Sequence, residues 1–117
     1  MNYLFVFIGG GLGSLFRFWL SSSMGSHAFP WATWMANAAA AVVLGIAVGL
    51  GLKENQPSYW VLIAVGFCGG LSTFSTFSLE TLNLLRQGNW LLLTLNVFSS
   101  LLVSLAALYL FMRIFQK

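Results

Sequence analysis

The chain has 117 residues, of which 59% are hydrophobic and only 6% charged, against roughly 25% charged in an average soluble domain. Together with a mean hydropathy of +0.88, this excludes an ordinary solvated surface and implies an integral membrane protein. The net charge of +3 rests on five scattered basic residues that form no stripe, so nucleic acid is excluded as a partner.

A helix needs about 20 mostly apolar residues to cross a bilayer, and polar punctuation at residues 21–30, 53–58 and 86–89 divides the chain into four such runs. The expected fold is an all-α membrane protein, one domain over residues 1–117, with spans near 2–20, 31–52, 59–85 and 90–115. Met1-Asn2-Tyr3 lacks the basic start of a signal peptide, so the first run is expected to remain in the mature protein. Trp19, Trp31, Trp34, Trp60 and Trp90 fall at or near the ends of the runs, at the headgroup level that tryptophan prefers.

The first span carries Gly9-Gly10-Gly11-Leu12-Gly13-Ser14, which contains a GxxxG pair, and the second an alanine-rich face over 36–41; both are signatures of close helix packing. Asn37 interrupts those alanines and offers two N–H donors or a bond to a neighbouring helix. The third span is the informative one. Gly69-Gly70 is followed by Ser72, Thr73, Ser75, Thr76 and Ser78 at mid-membrane depth, and the run exceeds a straight crossing. A broken helix is expected, with carbonyls released at one end suited to a cation and N–H groups at the other suited to an anion. The alternative is a continuous helix whose hydroxyls bond back to the preceding turn. Phe74 and Phe77 share a helix face; they either pack or present positive ring edges to a small anion. Cys68 reads as small packing volume. In the fourth span Asn96, Ser100 and Ser104 stack at four-residue spacing with Ser99 beside them, a stripe that lines a path or bonds a partner; Ser100 is placed with the pore residues. Arg17 and Glu80 are the charges nearest membrane depth and are read as structural, facing protein or water.

Four spans put both termini on one face with the second loop, setting Lys53, Arg113 and Lys117 against Arg17 and Arg86. So small a bias permits insertion in both orientations, and two opposed copies then pair as an antiparallel, dual-topology dimer; a single fixed orientation is the alternative. One histidine, no aspartate, no metal-ligand spacing and no nucleophile beside a base argue against an enzyme.

The segments Gly9-Gly10-Gly11-Leu12-Gly13-Ser14-Leu15-Phe16-Arg17-Phe18, Thr33-Trp34-Met35-Ala36-Asn37 and Gly66-Phe67-Cys68-Gly69-Gly70-Leu71-Ser72-Thr73-Phe74-Ser75-Thr76-Phe77-Ser78-Leu79-Glu80 together resemble the Fluc/CrcB family of fluoride channels. The resemblance implies a passive, fluoride-selective channel that exports fluoride from the cytoplasm and lowers its toxicity. It also implies a multi-pass protein of the cell membrane, assembled as an antiparallel homodimer around a central structural sodium ion (Na+). Its partners would be fluoride, the lipid bilayer and a second copy of itself. It makes Phe74, Phe77 and Asn37 fluoride contacts, puts Ser75 and Thr76 on a polar track, gives the backbone carbonyls of Gly69 and Ser72 to sodium, and sets Arg17 near a pore mouth. Ala32, Ala40 and Val103 stand where that family commonly has glycine. The competing reading is a small multidrug-resistance exporter, also a four-span dimer of this length, but proton-coupled exchange needs a carboxylate deep in the first span, and Glu54 and Glu80 lie elsewhere.

Overall fold

The computed structural model describes residues 1–25 and 27–116; Ser26 of the first loop and Lys117, counted in the charge balance, lie outside the described residues. Among the described residues the secondary structure is entirely helical. Four segments are long and apolar enough to span a bilayer: Asn2–Met24, Trp31–Gly49, Pro57–Arg86 and Trp90–Phe115. This is a multi-pass membrane protein. The second span ends sooner than composition suggests because Gly51 turns the chain at φ 68°. A helical turn, Leu52–Asn55, then carries Lys53 and Glu54, and Pro57 opens the third span at a first-turn position, where its missing N–H leaves no bond unmade.

Lipid gives helices no hydrophobic reason to associate, so packing and hydrogen bonds must hold them. The first span lies along the front half of the third, the second along the fourth, and the rear half of the third also meets the fourth. Glycine sets the first contact. A Cβ on Gly9 would come within 2.9 Å of the Phe67 backbone nitrogen, one on Gly13 within 2.7 Å of the Leu71 nitrogen, and one on Gly66 within 3.0 Å of Gly9 Cα. The second contact repeats the device with Gly45 and Gly49, where a Cβ would stand 2.7 Å from the Leu108 oxygen and 2.6 Å from the Met112 oxygen. Ala36, Ala40, Cys68 and Leu71 form the buried centre. Ala40 keeps a close contact despite its methyl, since the Cys68 thiol donates to its carbonyl oxygen at 3.5 Å. The Trp34 indole N–H donates to Ser99 Oγ at 3.0 Å, tying the second span to the fourth. The outer surface is apolar, with Phe7, Phe18, Leu91, Phe98 and Leu102 all exposed.

The third span is broken, as its composition predicts, but two residues beyond the glycine pair. Gly69 is helical at φ −64°, ψ −35°, the helix continues through Leu71, and the extended residues are Ser72 (φ −97°, ψ 127°) and Thr73 (φ −136°, ψ 129°). Gly70 serves contact rather than flexibility: a Cβ there would collide with the Gly10 backbone. Ahead of the break, Val61–Cys68 is π-helical, a wide winding that often marks functional segments.

Gly70→Ala is therefore expected to lower stability by about 1–3 kcal/mol through overpacking. Gly11→Ala, whose added methyl meets nothing within 4 Å, should leave the melting temperature of the detergent-solubilised protein nearly unchanged.

Candidate functional site

The site grows out of the break. A helix ending at Leu71 leaves its last carbonyls without intrahelical donors, and one starting at Phe74 leaves its first N–H groups without acceptors. The Ser72 N–H still reaches the Cys68 oxygen at 2.9 Å. The Gly70 oxygen accepts from Arg17 Nε at 3.1 Å, placing a cation at the negative end of the front half-helix. Arg17 thus lies at the break.

Ser72 donates its hydroxyl to Asn37 Oδ1 at 2.9 Å, which occupies the amide oxygen and leaves the NH2 group to donate. Thr73 and Ser75 hydroxyls pair at 2.8 Å, and the Thr81 hydroxyl bonds back to the Phe77 oxygen at 2.8 Å. The Phe74 and Phe77 rings lie 6.0 Å apart, centre to centre, and 33° from parallel. Phe74 is 80% exposed, so its own chain does not account for its packing.

A groove of about 510 Å³ brings Asn37, Ser72, Thr73, Phe74, Phe77 and Ser100 together. Ser75 and Thr76 are not among its lining residues, while Ser104, from the fourth-span stripe, is. Beside it a hollow of about 370 Å³ is bounded by Asn37, Cys68, Gly69, Ser72 and Ser104. Gly69 turns away from the first span, and a Cβ on it would meet nothing within 4 Å. Asn96 is 1% exposed and bonded to Ser100, so it stands behind the groove wall. Glu80, one turn beyond Phe77 on the same helix, is not among the groove's lining residues. It borders two small hollows under the first loop, with His27 and Pro30, and the buried Thr33 faces its carboxyl group. Two features escape sequence reading: the Gly45/Gly49 contact, signalled by a four-residue glycine spacing, and the π-helical segment, for which residue order carries no signal.

The family described as CrcB-like protein, Camphor Resistance (CrcB), matches residues 4–112. The chain belongs to the CrcB family. It is 43% identical over 110 residues to the fluoride-specific ion channel FluC of Pyrococcus abyssi, covering 92% of this chain and 89% of the relative. It is 47% identical over 107 residues to the protein of that name from Klebsiella pneumoniae, covering 86% and 83%. The protein of that name from Paramagnetospirillum magneticum is 38% identical over 117 residues, with 94% and 91% covered. Membership leaves the multidrug-exporter reading without support.

The Ser72–Asn37 bond is open to a direct test. Ser72→Ala and Asn37→Ala should each destabilise the protein by about 1 kcal/mol, and the double variant should fall short of their sum, because both remove one bond. Thermal unfolding of the four proteins measures the coupling.

Proposed function

We propose that the protein is a passive fluoride channel. It carries the anion past the break of the third span and works as an antiparallel, dual-topology homodimer. What supports this reading above all is the groove itself. It sets Asn37, whose NH2 group is left to donate, the aromatic residues Phe74 and Phe77, and Ser100 beside the N-terminal end of the helix Phe74–Arg86. An amide N–H, a ring edge and a helix N-terminus all favour negative charge, and none is a full cation. The choice of fluoride among small anions follows the relatives, which are named for it.

The dimer is supported by what one chain leaves open. Phe74 stands uncovered at the groove, and the near-balanced loop charges permit opposed copies. Sodium is supported by the unobstructed face at Gly69. Gly69 and Ser72 border one hollow, their backbone carbonyls are hard oxygen ligands, and a second copy would double their number. Bound there, the ion would supply fixed positive charge to the carbonyl end of the break. Ser75 and Thr76 then belong to the approach along the rear half-helix, outside the groove of the single chain.

Phe74→Ile and Phe77→Ile keep apolar bulk and should assemble normally. Each removes a ring edge and should slow fluoride efflux from proteoliposomes by about tenfold. Efflux at the unmutated rate in both, with unchanged size-exclusion profiles, would return the rings to packing. The flux should also carry current and follow voltage; electroneutral flux driven by a proton gradient would indicate a coupled carrier instead.

A further inference from the structure

Asn96 is buried to 1% exposure on the fourth span, yet its Nδ2 has no hydrogen-bond partner among the described residues. Buried N–H groups without partners are rare, rarer than unpaired carbonyl oxygens, so this one asks for a role. Its Oδ1 accepts from the Ser100 hydroxyl at 3.3 Å. Ser100, one turn along the same helix, lines the groove, and Asn96 does not. With its hydrogen turned inward to Asn96, Ser100 shows the groove only lone pairs, which repel an anion.

We propose that Asn96 is a positioning residue for the Ser100 hydroxyl, turning it between an inward-held state and one in which it donates into the groove. The inference rests on the groove being the anion's path. A half-turn of the amide about its terminal torsion brings Nδ2 to the place of Oδ1. The nitrogen then donates to Ser100 Oγ, and the hydroxyl hydrogen swings toward the groove. No covalent bond changes. In the first state the amide nitrogen is unpaired; in the second the nitrogen gains a partner and the carbonyl oxygen goes without, the more tolerable deficit. An anion beside Ser100 favours the second state by accepting the hydroxyl's hydrogen, and its departure lets the first return. Relayed donation also strengthens the final bond, since each donor in a chain polarises the next. Without the amide, the hydroxyl falls back on the carbonyl of the preceding turn, as helical serines do, and is lost to the groove.

The test is a double-mutant cycle in fluoride efflux from proteoliposomes, with size-exclusion and circular dichroism to confirm assembly. Ser100→Ala removes the donor and Asn96→Leu removes the amide at similar volume. Each should slow efflux by about ten- to a hundredfold, the worth of a hydrogen bond to a charged group. Asn96→Leu should cost nothing further in a Ser100→Ala background. A merely structural Asn96 would slow efflux by the same factor in both backgrounds, and that result would overturn the proposal. So would unmutated efflux in Asn96→Leu while Ser100→Ala is slow, which leaves the groove reading standing. Unmutated efflux in Ser100→Ala would overturn the proposal together with the part of the path that runs by Ser100. Should leucine prevent assembly, Asn96→Ala, which is smaller than the side chain it replaces, carries the same expectations.

Discussion

A helix cannot be interrupted inside a bilayer unless each backbone group it releases finds a partner, because lipid offers none. Much of this chain is arranged around meeting that condition at Ser72 and Thr73. Arg17 takes the Gly70 oxygen, and it can do so because Gly10, Gly13 and Arg17 recur at three- and four-residue spacing and so share one helix face. The glycines of that face bring the first span against the third, and one turn further on the same face presents a guanidinium to the end of the broken helix. Close packing and charge compensation are one device. A bulkier residue at Gly13 or Gly70 would part the helices and withdraw the arginine from the carbonyl it caps.

The other side of the break is met by the second span. Asn37 lies between the buried Ala36 and Ala40, whose small side chains let the second helix approach the third closely enough for the Ser72 bond. That bond polarises the site. With the oxygen of Asn37 engaged, what remains on the amide is a pair of donors, next to a helix start whose own N–H groups are free. The two halves of one span therefore offer opposite chemistry a few ångströms apart, carbonyls from 69–72 and amides from 74–76. A straight helix of the same composition would have consumed both.

The span count, the tryptophan ends, the alanine core and the existence of a break are legible in composition and spacing, because each reflects burial or exclusion from lipid. The position of the break is not. Glycine both frees the backbone and removes bulk, and a sequence cannot say which use applies; here Gly70 removes bulk and the freedom is used by Ser72 and Thr73. The same ambiguity hides Gly45 and Gly49, whose spacing repeats that of Gly9 and Gly13 but whose partners, Leu108 and Met112, are settled only by packing. Asn37, Phe74, Phe77 and Ser100 could be singled out as polar or aromatic exceptions in apolar surroundings, yet their convergence on one groove depends on the phase of three helices. Ser75 and Thr76 show the limit: adjacency to Phe74 does not confer a place on the groove, since each residue turns about 100° around the axis.

On the proposed reading, the absence of a free cation from the groove lining among the described residues is as significant as the donors present. An ion must bind well enough to leave water and loosely enough to move on. A guanidinium in the groove would hold an anion too firmly, and the arginine nearest the break is engaged at Gly70. Glu80, the carboxylate of the same span, borders the hollows beneath the first loop and not the groove. What remains along the groove is a set of partial charges, the amide of Asn37, the edges of two rings and a serine hydroxyl, each weak alone and each within reach of the next. Such a lining replaces hydration in small steps, and its strength at any one point depends on which way the amides and hydroxyls are turned. Orientation within a fixed fold, more than charge, then becomes the variable on which passage depends.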